Sequence, residues 1–193
     1  MVRQLRHNFA ALSIICALAL ISPVLLTAQE TARWDVFGGF SAMRFDSPTI
    51  GFADYSYMYG WNAEVTGNIF RRLGVTLDGS GNYGSQMTLY HYMIGPQFTW
   101  RRRDTYRFFV RGLFGKEENM LSIPVPPKTS LESVGRSFGG GGGFDWDFNK
   151  RITIRVVQAD YLNTHTFGQT QNNYRVSAGV VLHFGHMGHR PRL

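Results

Sequence analysis

Cysteine is almost absent from this chain. The single cysteine, Cys16, lies in an apolar N-terminal stretch, so the residues after it can form neither a disulfide nor a thiolate metal site. Long runs with helical periodicity are also missing. The charge excess is mild, with 20 Lys and Arg against 13 Asp and Glu, and no aromatic residues interleave the basic runs. These absences argue against a disulfide scaffold, a helical bundle and a nucleic-acid-binding protein.

The first 28 residues predict a signal peptide. Arg3 and Arg6 form a positive start, an apolar stretch follows at 9–21, and small residues end the segment. We expect cleavage before Gln29. The alternative is an uncleaved transmembrane helix, because the apolar stretch approaches the length of about 20 residues that spans a bilayer.

The remaining chain has the composition of an exported all-β domain. The sequence contains 22 Gly, 15 Phe, 9 Tyr and 4 Trp, and apolar and polar residues alternate with the period of a strand in eight segments. The clearest segment places Val176, Ala178, Val180, Leu182 and Phe184 on one face. The predicted strands are 33–45, 57–70, 73–83, 87–100, 106–115, 137–148, 151–161 and 172–185.

The connections between these segments alternate in length, with short turns at 71–72, 101–105 and 149–150 and longer loops at 46–56, 116–136 and 162–171. If neighbouring strands are antiparallel, the short turns all lie at one end. A two-faced strand at the C-terminus also needs a neighbour on each edge, which barrel closure supplies. The sequence therefore predicts an all-β, eight-stranded antiparallel up-and-down transmembrane β-barrel over 29–185, followed by a short tail at 186–193.

Aromatic residues on the predicted apolar faces fall into two bands. One band lies near the short turns and the other near the long loops, as in the interfacial girdles of membrane barrels. The alternative is the inner core of a soluble β-sandwich. The two bands are Trp34, Trp100, Tyr106, Trp146, Phe148 and Phe184, and Tyr57, Tyr59, Tyr90, Tyr92, Tyr161 and Tyr174.

Charged residues on the opposite faces lie four to six positions from a short turn. Such residues could meet in one layer inside a barrel, where acids and arginines should pair because an unpaired buried charge is costly. We expect this network to plug the interior, with a narrow gated channel as the alternative. Its predicted members are Glu64, Asp78, Arg111, Asp145 and Arg155.

Four stretches carry a resemblance to a known family. They are WDVFGGFS at 34–41, GWNA at 60–63, IGPQF at 94–98 and the segment 151–161 ending in QADY. Together they resemble small outer-membrane β-barrels of the OmpA-like or opacity-protein superfamily. The resemblance implies the bacterial outer membrane, a structural or surface-contact role, contact with outer-membrane lipids and lipopolysaccharide, and a monomer.

The last predicted strand carries a second resemblance. Its polar residue, glycine, hydrophobic residue and terminal aromatic resemble the signal by which barrel-assembly machinery recognises its substrates. This resemblance implies contact with that machinery during biogenesis. The residues are Ser177, Gly179, Leu182 and Phe184.

No catalytic, cofactor or metal site is expected. The glycine run at 139–143 lacks the Gly-Lys-Ser/Thr of a phosphate loop, and His183, His186 and His189 lack a fourth ligand. His165 has no serine beside it to complete a triad. The remaining alternatives are a soluble exported barrel that binds a small apolar ligand and, as an enzyme, a barrel that modifies lipid A.

Overall fold

The computed structural model describes residues 32–47, 54–85, 87–102, 105–123, 129–166 and 168–186. The predicted signal peptide and residues 187–193 of the predicted tail lie outside these ranges. Within them, no helix is long and apolar enough to cross a membrane. The strands are β1 Ala32–Phe45, β2 Ser56–Asn68, β3 Leu73–Tyr83, β4 Met87–Arg102, β5 Tyr106–Ile123, β6 Thr129–Asp147, β7 Ile152–Thr166 and β8 Gln169–His186.

The eight strands form one closed barrel in which each strand pairs with the next. All pairings are antiparallel, and β8 returns to pair with β1 from Ala32↔His186 to Arg44↔Tyr174. Closure removes the open sheet edge that the C-terminal strand would otherwise present. The predicted eight-stranded antiparallel barrel is therefore confirmed.

The barrel is polar inside and apolar outside. Among the described residues, buried polar and charged side chains outnumber buried hydrophobic ones, while large hydrophobic side chains cover the outer wall. Phe40 on β1 is 59% exposed and Leu77 on β3 is 55% exposed. A water-soluble protein of this size would bury such side chains, because apolar surface in water is unfavourable.

Two of the predicted long loops are in fact extensions of strands. β5 continues to Ile123 and β6 begins at Thr129, with residues paired throughout, so the loop predicted at 116–136 was wrong. The loop predicted at 162–171 was also wrong, because β7 reaches Thr166 and β8 begins at Gln169. Both faces of these extensions carry polar residues, which removes the apolar alternation on which strand prediction depends.

A bulge in β7 changes which side chains face the interior. Asp145 pairs with Arg155 but Phe144 pairs with Val157, so β7 carries one extra residue at this point. Val156 and Val157 both face outward, and Gln158 is buried. Strict alternation from Arg155 would instead have turned Gln158 and Asp160 outward.

The glycine run of β6 permits close packing rather than phosphate binding. Gly139, Gly141 and Gly143 face inward, and a Cβ atom at each would collide with Leu162, Asp160 or Phe109. The outward Gly140 has no such restriction, since the nearest atom to an added Cβ would be the Arg111 carbonyl oxygen, 3.9 Å away. The inward glycines therefore leave space for side chains from β5 and β7.

We expect Gly141→Ala to destabilise the barrel by about 1 to 3 kcal/mol, because the added methyl would displace the Asp160 carboxylate and the backbone beside it. The measurement is the free energy of unfolding by urea in lipid vesicles. Gly140→Ala is the matched control and should stay within about 0.5 kcal/mol of the wild type. Equal losses for the two variants would contradict this account of the glycine run.

Candidate functional site in the barrel interior

A buried arginine on β5 occupies the middle of the barrel. Arg111 Nη1 lies 2.7 Å from Glu64 Oε1, and Nη2 lies 3.1 Å from Asp78 Oδ2. Its Nε and Nη2 also donate to the two carboxylate oxygens of Asp160, at 3.0 and 2.8 Å. Arg111 thus bridges acids from three strands that do not pair with its own strand.

A second arginine, on β8, shares two of these acids. Arg175 donates from Nη1 and Nη2 to the two oxygens of Asp78, at 3.0 and 2.8 Å. Its Nε and Nη2 lie 3.2 and 2.9 Å from Asp160 Oδ2, and Nη1 donates to Ser80 Oγ at 2.7 Å. The fork of the guanidinium group suits such paired contacts with a carboxylate.

A third arginine, on β7, also binds two acids of the layer. Arg155 donates from Nε to Asp145 Oδ1 at 2.9 Å and from Nη1 to Glu64 Oε2 at 2.7 Å. Its guanidinium carbon lies 4.5 Å from the ring centroid of Phe37 and 4.2 Å from that of Phe109. The two rings therefore contact the cation by cation–π interaction while the acids satisfy its hydrogen bonds.

Amide side chains complete this middle layer. Gln158 Nε2 lies 3.1, 2.8 and 3.1 Å from the acceptors Asn62 Oδ1, Glu64 Oε1 and Asp160 Oδ2, to which its two N–H groups donate, and Gln158 Oε1 accepts from Arg155 at 2.6 Å. Asn62 in turn donates to Asp78 at 3.1 Å. Buried charges are tolerated when hydrogen bonds satisfy their remaining lone pairs and protons, and these amides provide such bonds.

The structure brings together all five predicted network residues, Glu64, Asp78, Arg111, Asp145 and Arg155. Sequence reasoning missed Asp160, Gln158 and Arg175. The bulge at 156–157 turns the first two inward. Arg175 was not assigned to the network, although it lies directly opposite Asp160 in the ladder between β7 and β8.

Buried apolar side chains also fill part of the interior between the middle layer and the long-loop end. Eight buried side chains form one hydrophobic cluster there, four of them methionine, whose flexible thioether fills irregular space. Buried polar side chains, among them His91 and Glu117, share this part of the interior. The cluster comprises Met43, Phe45, Met58, Met87, Leu89, Met93, Leu113 and Leu162.

A buried polar pair lies on the same inner faces of β4 and β5 as this cluster. His91 Nε2 is 2.9 Å from Glu117 Oε2, and both side chains are fully buried. Glu117 lies within the segment that the sequence predicted as a loop. The pair links two adjacent strands above the arginine layer.

At the short-turn end, a third polar group surrounds His183. Its Nδ1 lies 2.6 Å from Asp35 Oδ1 and its Nε2 lies 2.8 Å from Thr153 Oγ1. Arg107 approaches the same Nε2 at 2.6 Å and also pairs with Asp147.

The geometry around His183 differs from that of a nucleophilic triad. A guanidinium group can only donate, so the Nε2 contacted by Arg107 is an acceptor and the ring proton lies on Nδ1, facing Asp35. The Thr153 hydroxyl lies 2.5 Å from Asp147 Oδ1 and donates to it. The Nε2 atom of His183 thus accepts from the Arg107 guanidinium. The Thr153 hydroxyl donates to the Asp147 carboxylate instead of to His183 as a base.

The other histidines singled out in the sequence form no metal centre within the described ranges. No group of three His, Cys, Asp or Glu residues there is arranged to hold a metal ion. His189 and the side chain of His186 lie outside the described part. His165 is exposed on β7, where its Nδ1 lies 3.1 Å from Thr170 Oγ1.

The outer wall carries the two predicted aromatic bands. Trp34 is paired with Phe184 across the β1–β8 seam, and Tyr106 is paired with Trp146 near the short turns. At the other end Tyr161 is paired with Tyr174. Eleven of the twelve predicted band residues are among the exposed large hydrophobic side chains, and Tyr90 is half-buried.

The residues of the predicted assembly signal divide between the two faces of β8. Ser177 is buried, whereas Leu182 and Phe184 are exposed on the outer wall. Gly179 approaches the Gly38 carbonyl across the seam, where a Cβ atom would not fit. The strand that carries the signal is therefore one side of the closing seam.

No protein-family model and no curated protein matches this chain. Solved structures do match. Neisserial surface protein A shares 10% identity, with 79% of this chain and 98% of that chain covered and a TM-score of 0.64. Ail, the attachment invasion locus protein of Yersinia pestis, shares 13% identity over 79% of this chain and 99% of its own, with a TM-score of 0.54.

The fold is that of the small outer-membrane β-barrels. A second structure of Ail, in complex with the heparin analogue sucrose octasulfate, matches at 14% identity and a TM-score of 0.56, with 79% of this chain and 99% of that chain covered. At these identities the likeness concerns the backbone. The arginine layer described above is a property of this chain's own residues.

We expect Arg175→Met to destabilise the barrel by about 3 to 5 kcal/mol, because Asp78 and Asp160 would lose a shared buried cation. Urea unfolding in lipid vesicles measures the loss. The exposed Arg72→Met should stay within about 0.5 kcal/mol of the wild type.

Combining Arg175→Met with Asp78→Asn provides a further check on that interpretation. The double variant should lose less stability than the sum of the two single variants, because it removes one of the carboxylates left without its cation. Additive losses would mean that Arg175 and Asp78 do not stabilise each other.

Proposed function

We propose that this chain is an integral protein of the bacterial outer membrane with a structural or surface-contact role, and that its interior is closed. The proposal rests on the inverted polarity of the barrel, which is apolar outside and polar inside. The outer wall exposes Trp, Phe, Tyr, Leu and Val side chains, whereas arginines and acids fill the inside. Such a wall suits the hydrocarbon core of a bilayer and is unfavourable in water.

The spacing of the aromatic bands supports this placement. Tyr106 lies in the lower band, and Lys116, ten residues further along β5, is the cross-strand partner of Tyr92 in the upper band. At about 3.3 Å per residue and a tilt of about 40°, ten residues rise by roughly 25 Å. That rise equals the height of the apolar belt of outer-membrane barrels.

The parts of the chain that extend beyond the upper band would provide the surface contacts. The ladder of β5 and β6 continues from Lys116↔Arg136 to Ile123↔Thr129. The ladder of β7 and β8 continues to Thr166↔Gln169. In this proposal two paired hairpin extensions take the place of the loops predicted at 116–136 and 162–171, and the connection at 46–56 is the third contact region.

The filled interior favours a plug over a conduit. Eight strands enclose a space that side chains can occupy fully. In the middle layer, Arg111 and Arg175 have no exposed side-chain surface, and Arg155 has 4%. The methionine-rich cluster adds a second filled layer, so neither a solute path nor an apolar ligand cavity is part of this proposal.

The partners inferred from the sequence remain predictions. They are outer-membrane lipids, lipopolysaccharide and, during biogenesis, the barrel-assembly machinery. Leu182 and Phe184 would be available to that machinery before closure, because both lie on the outer face of the seam strand. The monomeric state is likewise a prediction.

The full chain, expressed in a diderm bacterium, should sediment with the outer-membrane fraction and resist extraction by carbonate. The folded barrel should also migrate differently in detergent gels before and after boiling, because a closed β-barrel keeps its structure in mild detergent. Recovery in the aqueous periplasmic fraction would contradict the proposed location. A soluble β-barrel exported by the same signal peptide serves as the control.

A closed interior predicts that the wild-type barrel adds no porin-like conductance steps in a planar lipid bilayer. Arg111→Ala should raise the leak, because it removes the side chain that bridges Glu64, Asp78 and Asp160 in the centre. Lys150→Ala, at an exposed short turn, is the control. Regular open-channel steps from the wild type would contradict the plug.

A further inference from the structure

Three basic residues form a continuous row across three neighbouring strands. Lys116 on β5 is directly opposite Arg136 on β6, and Arg136 is directly opposite His165 on β7. All three side chains are exposed on the outer wall. The row continues to Tyr92 on β4, which is directly opposite Lys116, and to Thr170 on β8, which is directly opposite His165.

The row lines a groove on the outer wall that also has apolar walls. Val134 and Phe138, two positions to either side of Arg136 on β6, line the same groove and are 63% and 59% exposed. Asn163 on β7 adds an amide group. Cationic, hydrogen-bonding and apolar groups thus meet at one place on the surface.

Like charges directly opposite one another on neighbouring strands destabilise a sheet. The interior arginines Arg111 and Arg175, by contrast, are paired with acids. Within the described part of the chain, Lys116 and Arg136 take part in none of the ion pairs. The row therefore has an uncompensated positive charge that an external anion could neutralise.

The acid closest to the row on the same face is Glu118. It lies two residues beyond Lys116 toward the long-loop end of β5, opposite Tyr90 and Val134 rather than opposite a cation. His165 adds no fixed charge when neutral, but one ring nitrogen contacts Thr170 at 3.1 Å, so the other can serve as a donor or acceptor.

The height of the row along the barrel indicates which part of the membrane surrounds it. Tyr92, directly opposite Lys116, belongs to the upper aromatic band, and Phe138 continues the apolar wall below Arg136. In a membrane barrel, such a band marks the boundary between acyl chains and headgroups. The cations of the row would then lie at the level of the outer-leaflet headgroups.

We propose that this row binds the phosphate group of a phosphorylated lipid headgroup in the outer leaflet. The inference rests on the outer-membrane placement proposed above. Arg136 can bind phosphate oxygens through two N–H groups, and Lys116 provides a point charge beside it. Val134 and Phe138 favour a lipid over a soluble polyanion, because they supply apolar contact that a sulfated or phosphorylated sugar alone would not use.

The test uses the full-length folded barrel in detergent and bisphosphorylated lipid A as the probe, with binding followed by titration calorimetry. We expect the Lys116→Gln, Arg136→Gln double variant to bind at least tenfold more weakly than the wild type. The matched control is Lys150→Gln with Arg151→Gln, which removes the same charge from an exposed short turn at the other end. It should bind within twofold of the wild type.

Three further probes separate the possible sources of the anion. Dephosphorylated lipid A should bind the wild type as weakly as lipid A binds the double variant, and inorganic phosphate and sucrose octasulfate should bind at least tenfold more weakly than lipid A. Unchanged affinity of the double variant, or of dephosphorylated lipid A, would overturn the phosphate site. Sucrose octasulfate binding as tightly as lipid A would overturn the assignment to a lipid.

Each barrel is first checked for the gel shift on boiling, so that a folding defect is not mistaken for loss of binding. Membrane fractionation of the wild type tests the outer-membrane placement separately. If the wild type is found in the outer membrane but the double variant binds lipid A normally, the lipid site alone is wrong.

Discussion

The rest of the structure depends on the ion pairs between arginines and acids that cross the barrel. Arg111 on β5 contacts Glu64 on β2, Asp78 on β3 and Asp160 on β7, so one side chain links strands that share no backbone hydrogen bonds with its own. A register slip of one residue would turn such groups toward the apolar outer wall. Because an unpaired charge is costly there, the layer favours one register for all eight strands.

The interior contains three groups of side chains that stabilise the barrel by different interactions. Around His183 at the short-turn end, polar groups are partly exposed and bonded to one another. The arginine layer fills the middle of the barrel with paired charges, and the methionine-rich cluster above it fills space by apolar packing. Apolar packing thus occurs inside this barrel as well as on its outer wall.

Much of the barrel is predictable from the sequence because strand periodicity is local. The bounds predicted for β3, 73–83, equal those observed, and Glu64 on β2 was correctly assigned to the interior. The inward position of Asp160 depends on a bulge, and the partnership of Arg175 depends on the stagger between β7 and β8. Neither feature has a local signature, since both arise from how neighbouring strands align.

A filled interior also restricts where this barrel can meet other molecules. Arg111, Arg155 and Arg175 each use their guanidinium groups on several internal acceptors, so the layer has few donors left for a passing solute. The cations on the outer wall differ, because Lys116 and Arg136 face each other without an acid within ion-pair distance among the described residues. In the core, arginines and acids are thus paired with one another, whereas Lys116 and Arg136 on the wall are available to the external anion proposed above. That contrast favours recognition by the outer surface rather than transport through the centre.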